Sequence, residues 1–159
     1  MANLRRFAIF LYRIMILENE KDYISNGFSE GAKLKIRGFD KIRKFFKDGD
    51  VNFHDAGIKS VNMNCDGIKI ELDVAGDFKG VQSDGENQWL KYDCYRISLF
   101  FDGSCLQISL NCEWLLDDGI IFCNEASFLE TDNGFHVFDS GLGTIWCREI
   151  EILDISVIE

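Results

Sequence analysis

The feature that most restricts the fold of this chain is a period of two in its apolar residues, recurring from residue 58 onward. Ile58, Val61 and Met63 run into Asp66-Gly67, and Ile68, Ile70, Leu72 and Val74 follow in strict alternation. Successive side chains of a strand point to opposite faces, so the pattern buries one face of a sheet, and Asp-Gly is a strong hairpin signal. Tyr95, Ile97, Leu99 and Phe101 repeat it and are expected to face Leu106, Ile108 and Leu110 across an Asp102-Gly103 turn. Further strands are expected at 120–124, 126–131, 134–139, 143–147 and 149–157, with turns at Asn133-Gly134 and Gly141-Leu142-Gly143. Ile150 and Ile152 give way to Leu153, Ile155 and Val157 on the opposite phase, which predicts a bulge near 152 and 153. Connections this short join antiparallel neighbours, because a parallel crossover needs about a dozen residues or more. The expected fold class is therefore mainly β (α+β), an antiparallel β-meander or sandwich with one or two short N-terminal helices.

Before residue 58 the period changes. Phe39, Ile42, Phe45 and Phe46 share one face of a helix over 39–47, with Asp40 near its start and Gly49 after its last turn. Lys41, Arg43, Lys44 and Lys47 are left for solvent. AKLKIRG, residues 32–38, alternates as a short strand would, with Leu34 and Ile36 on one side. Residues 4–17 fit a helix and a buried strand alike, or precede a later start at Met15, so 1–20 stay open. The apolar run 5–17 is interrupted by Arg13, is shorter than the ~20 residues of a membrane span, and has no small-x-small cleavage site after it. One domain over 1–159 suits the length and the 47% apolar content, with 1–38 an N-terminal extension and 39–157 the β-rich body.

Charge narrows the choice of partner. Residues 1–47 hold 11 Lys+Arg and 5 Asp+Glu (11 − 5 = +6), while residues 48–159 hold 6 and 22 (6 − 22 = −16), for a net −10. A body this acidic repels nucleic acid and anionic membrane and speeds encounter with a basic protein. Six cysteines, at 65, 94, 105, 112, 123 and 147, form no CxxC and no Cys/His ligand spacing, which predicts reduced thiols and cytoplasmic residence.

His54 stands directly before Asp55, and the chain has only one other histidine, His136. A catalytic histidine needs a proton partner and a third group to orient it. In a strand His54 and Asp55 would point to opposite faces, so a dyad requires the backbone to turn between them. A metal site built from His54, His136 and a carboxylate has no supporting spacing, and no metal or cofactor is expected. The structural reading is that Asp55 accepts backbone N–H bonds in an Asx-turn near Gly57 while His54 tethers the adjoining loop. His136 is expected half-buried on a strand, and Trp114 and Trp146 in the core.

The longest polar connection is 75–91, AGDFKGVQSDGENQWLK, read as a loop. Asp84 and Glu86 flank Trp89 there, which makes these three the expected partner contact, since loops on a rigid scaffold carry recognition and Trp is enriched among binding hot spots. A flexible connector is the plain alternative.

The order of features, GFDKIRKFF running into FHDAGI, then IKIELDV, YRISLFFDGSCLQISL and GFHVFDSGLGTIWCREIEILDI, resembles an immunity-protein group of bacterial polymorphic toxin systems. Members of that group carry a Phe-His-Asp motif after an N-terminal helix and a cysteine ahead of a Val/Ile-rich last strand. The resemblance covers about 39–157 and rests on Phe53, His54, Asp55 and Ala56, then Phe101 and Cys147. Asn52 and Gly57 depart from the proline and acidic residue found at those places. It implies a small cytoplasmic, non-enzymatic protein that neutralises a cognate toxin, with a structural identity for the motif. The competing expectations are a small metal-dependent or His/Asp hydrolase and a β-rich phage or ligand-binding module.

Overall fold

A computed structural model describes residues 26–103, 107–110, 121–122, 126–139 and 143–158. The residues 4–17 discussed above, Trp114 and three of the cysteines, at 105, 112 and 123, lie outside this set.

Residues 30–35 are helical rather than extended. After the two-residue strand β1 (Gly27–Phe28), Ser29 caps helix α1 (Glu30–Lys35), its hydroxyl accepting from the Ala32 N–H at 3.1 Å. Glu30 in the first turn and Lys33 and Lys35 in the last complement the helix dipole. This corrects the strand expected over 32–38. Ala32 and Ile36 are one helical turn apart and both buried, whereas Leu34, expected beside Ile36, is 82% exposed. A cap and a turn spacing of four outweigh an alternation only a few residues long.

Helix α2 (Asp40–Phe45) lies inside the expected 39–47 span. Phe39, Ile42 and Phe46 are buried, and Phe45 is partly exposed against Tyr95. Between the helices Arg37 bridges in parallel to Glu151, and Gly38 turns the chain at φ +72°. A Cβ at Gly38 would stand 2.7 Å from the Ile152 carbonyl oxygen, so a side chain is excluded by space as well as by φ.

The remainder is mainly β, in two sheets. One has the order β10-β4-β3-β2-β6, from β2 (Gly57–Asn64), β3 (Gly67–Ser83), β4 (Gln88–Asp102), β6 (Ile121–Phe122) and β10 (Ile150–Ile158). The other has the order β1-β7-β8-β9-β5, from β5 (Gln107–Leu110), β7 (Ala126–Thr131), β8 (Gly134–Asp139), β9 (Gly143–Cys147) and β1. Each holds four longer strands in antiparallel pairing and one strand of two residues, and the two-residue β1 runs parallel to β7. β2-β3-β4 and β7-β8-β9 are meanders, and β10 returns to lie beside β4. The expected bulge falls between Ile152 and Asp154.

Two expectations about strand pairing fail. The hairpin across Asp102-Gly103 is not formed: β4 is a central strand held by β3 and β10, and β5 pairs with β9 in the other sheet. The Gly103 N–H instead donates to the Asp66 carbonyl and the Asp102 N–H to that of Glu149. Two long apolar strands flank β4, so Ile97, Leu99 and Phe101 are buried to 1% exposure or less, each contributing ~1.5–3 kcal/mol of burial. The 75–91 segment is not a loop either. β3 and β4 continue to pair through it, with two register shifts, as far as Ser83↔Gln88.

Residues of both sheets and both helices share one hydrophobic cluster, and its aromatic centre joins the helical segment to the second sheet. Phe28 packs edge-on against Phe39 and Phe53, at 5.0 and 5.2 Å between centroids, and Phe128 lies against Phe28 and Phe53. Residues 28–36, assigned from sequence to an extension, thus contribute Phe28, Ala32 and Ile36 to the same core as the body.

Candidate binding site

The Phe-His-Asp segment connects the short 3-10 turn Lys47–Gly49 to β2. Phe53 and Ala56 are buried, while His54 and Asp55 are 54% and 71% exposed at their side chains. Asp55 has a left-handed backbone, φ +60°, and that single residue brings adjacent side chains together: His54 Nδ1 and Asp55 Oδ2 are 2.9 Å apart. The backbone turn that such a contact requires is present at Asp55. The contact is a solvent-facing pair, of the kind that is weak and readily screened. The Asx-turn is present but Asn52 makes it, its Oδ1 accepting from the His54 N–H at 2.9 Å, while the Ala56 N–H closes onto the Phe53 carbonyl at 3.1 Å. Asp55 is not the acceptor that the sequence suggested.

His136, expected half-buried, is buried, and its ring stacks on Trp146 at 3.9 Å with planes 12° apart. It stands on β8, away from the His54 junction in the sheet order. Among the described residues no three His, Cys, Asp or Glu side chains group as metal ligands. A cleft of about 350 Å³ lined by Lys35, Arg37, Asp132, Arg148 and Glu149 is of mixed sign, with Arg37 paired to Glu149 at 3.5 Å and to Glu151 at 2.9 Å.

The three expected contact residues sit together on a projecting β-ribbon. Pairing of β2 with β3 ends at Asp73 and pairing of β10 with β4 ends at Cys94, so among the described residues 76–93 form two strands with both outer edges open. Two register shifts on β3 between Ala75 and Gly80 place bulges at the base of the ribbon. At its tip Asp84 Oδ1 accepts from the Glu86 and Asn87 N–H groups at 3.0 and 2.8 Å. Those two backbone donors, Asn87 first, hold the Asp84 carboxyl below its usual range. Asp84 therefore builds the turn, and Glu86 enters it through its backbone N–H. Trp89 lies opposite Gln82 and donates Nε1–H to its Oε1 at 3.1 Å, which fixes the indole on the ribbon before any partner arrives.

The sequence reading missed the other side of this ribbon. Phe78, Val81, Leu90 and Tyr92 are 54%, 58%, 59% and 39% exposed, and together with Trp89 on the opposite face, 45% exposed, they make half of the large exposed apolar side chains of the described residues. Alternation in QWLKYD signals the strand, but the bulges break the phase of FKGV on the facing strand and hide the pairing. On the sheet itself the corresponding face is polar: Arg96 holds Asp73 with two bonds of 2.6 and 2.8 Å, and Glu71 takes Lys69 and Ser60 at 2.8 Å each. Lys69 first and then Ser60 keep the Glu71 carboxyl below the ordinary glutamate range.

Comparison with known proteins returns no matching family model, no matching curated protein and no matching solved structure.

Proposed function

We propose that this chain is a non-enzymatic, immunity-type binding protein of the bacterial cytoplasm that captures and neutralises a basic toxin through the tip of the 76–93 ribbon. The observation that carries the reading is an acidic turn, Asp84 to Asn87, displayed beyond the sheet next to a half-exposed Trp89 already locked to Gln82. A pre-ordered indole loses little side-chain entropy on binding, and an acidic tip on a chain of net −10 steers a basic surface toward it. The order of helix, Phe-His-Asp and paired strands supports the same reading.

The test first asks whether a toxic domain is encoded beside its gene, its absence counting against the reading, and then pairs the protein with that domain. Co-expression should restore growth, and association should slow steeply as salt rises. Glu86→Lys should lower the association rate, and Trp89→Ala should speed dissociation roughly tenfold or more. Failure to protect would end the immunity reading. Protection with wild-type rates from both variants, or a strongly acidic toxin, would exclude the ribbon tip.

A further inference from the structure

Strand β4 is regular along its whole length, and the irregularities of its two ladders lie in its neighbours. Both shifts in the ribbon add a residue to β3, and the shift beside β10 adds Leu153 to β10. Backbone groups of β4 therefore alternate without interruption between its two sides. The Asp102 N–H donates to Glu149, just before β10, and the Gly103 N–H to Asp66, just before β3. At the ribbon tip the Asp84 N–H closes on the Asn87 carbonyl at 3.3 Å. Both ends fix the same phase: Trp89 and Lys91 turn their N–H and C=O groups toward β3, while Gln88, Leu90 and Tyr92 turn theirs outward. β10 occupies that outer side only as far as Ile158↔Cys94, and residues 88–92 beyond it are all exposed. Folded proteins blunt open edges with bulges, proline or charge. The outer edge of β3 carries two bulges, whereas that of β4 is straight and has Lys91 as its one charge over 88–92.

Taking the toxin-binding role above as its premise, we propose that this edge takes up an extended segment of the toxin as an added strand, antiparallel to β4 and in line with β10. Main-chain bonds to Gln88, Leu90 and Tyr92 supply the attachment, and alternate side chains supply the selection. Those opposite Gln88, Leu90 and Tyr92 share their uncharged face and are apolar. Those opposite Trp89 and Asp93 lie on the other face, where an arginine meets the indole and the carboxylate that Lys79 already holds at 2.7 Å. Lys91 between them disfavours a third base, since like charges directly opposite repel. The occupant thus alternates apolar residues with arginine. A basic chain fits, because residues 76–93 hold Asp77, Asp84, Glu86 and Asp93 against Lys79 and Lys91 (2 − 4 = −2) on a body that is itself acidic.

The probe is a capped peptide, Arg-Val-Thr-Val-Arg-Val, whose register sets its arginines beside Asp93 and Trp89 and its valines beside Tyr92, Leu90 and Gln88. Titrated to ~3 mM into the isotope-labelled full chain, it should shift the 88–93 amide resonances and slow hydrogen exchange at Gln88, Leu90 and Tyr92. Methylating the valine amides, which face β4, should weaken binding at least about tenfold, while methylating the threonine and second arginine amides, which face solvent, should change it less than about threefold. Leu90→Pro removes an outward N–H that the ribbon's own ladder does not use and should match the larger loss; Leu90→Thr keeps that N–H and should retain most of the binding. No exchange protection at ~3 mM, or equal binding by the two methylated peptides, overturns strand addition and leaves growth protection to decide the immunity reading. Uptake of the peptide by a protein that gives no protection overturns the toxin as occupant. Slowed exchange at the same amides on raising the protein concentration alone would assign the edge to a second copy and equally overturn the proposal.

Discussion

The ring of Phe53 packs on that of Phe128 with 5.0 Å between centroids, so a residue from the turn before β2 is seated against a strand of the other sheet. Phe53 is fully buried and its neighbour His54 points to solvent. Phe53→Ala should therefore cost about 3–5 kcal/mol in urea unfolding, the range for deleting a buried aromatic ring. His54→Ala should stay within about 0.5 kcal/mol of wild type, as exposed substitutions do. Equal losses in the two variants would show that the His54–Asp55 contact holds the turn.

Lys41 belongs to the basic side of α2, yet its Nζ donates to the carbonyl oxygens of Ile152 and Leu153, both at 2.8 Å. Those carbonyls belong to the β10 bulge, where the ladder to β4 is interrupted. Lys41→Met should lower stability by about 1–2 kcal/mol by removing a charged donor from them, while Lys44→Met should change it by less than about 0.5 kcal/mol. Chemical denaturation of the two variants compares them directly.

Ser29 caps α1 and also donates its hydroxyl to the Glu130 carboxylate, which holds that carboxyl below the ordinary glutamate range. Folded Glu130 gives up its proton at a lower pH than the unfolded chain does. Between those two values the unfolded state binds more protons, so stability rises with pH. The contribution is complete above the unfolded value near ~4.3 and is lost as pH falls through the folded one. Ser29→Ala should cost about 1 kcal/mol at neutral pH through the cap alone, and more when the Glu130 bond is counted. Unfolding measured from about pH 3 to 7 should show the deficit shrinking toward the acid end. A deficit that does not vary with pH would separate Glu130 from the effect.

Cys65 and Cys94 are exposed thiols and Cys147 is a buried one. Burial first, and the nearby Asp102 charge second, push the Cys147 thiol up to about 12. The thiolate is the reactive form, so iodoacetamide at about pH 8 should label Cys65 and Cys94 in the folded protein and spare Cys147 until denaturant is added. Peptide mass analysis reads each site separately, and labelling of native Cys147 at the rate of Cys94 would contradict its packing.

Local pattern determined more of this protein than its pairing. Alternation and turn residues place strands at 126–131, 134–139 and 143–147, and β7, β8 and β9 have those bounds. The phase switch after Ile152 marks the β10 bulge, and the spacing of Phe39, Ile42 and Phe46 marks α2. These properties are legible because they depend on residues a few positions apart. Asp84, Glu86 and Trp89 could be picked out as a cluster for the same reason, since the ribbon that displays them is contiguous in sequence.

Tertiary structure decided which strand lies beside which. Alternation says that Tyr95, Ile97, Leu99 and Phe101 have a buried face, but not that the neighbours of β4 are β3 and β10 while β5 joins β9. A period of two assigns a face and leaves the partner open. The partner is chosen where apolar faces distant in sequence fill one core together, here with Phe28, Phe53 and Phe128 meeting at its centre. The same holds for His54 and Asp55, whose contact rests on one left-handed residue that the packing of Phe53 and Ala56 on either side holds in place. A backbone conformation paid for by long-range burial cannot be read from the two residues that adopt it.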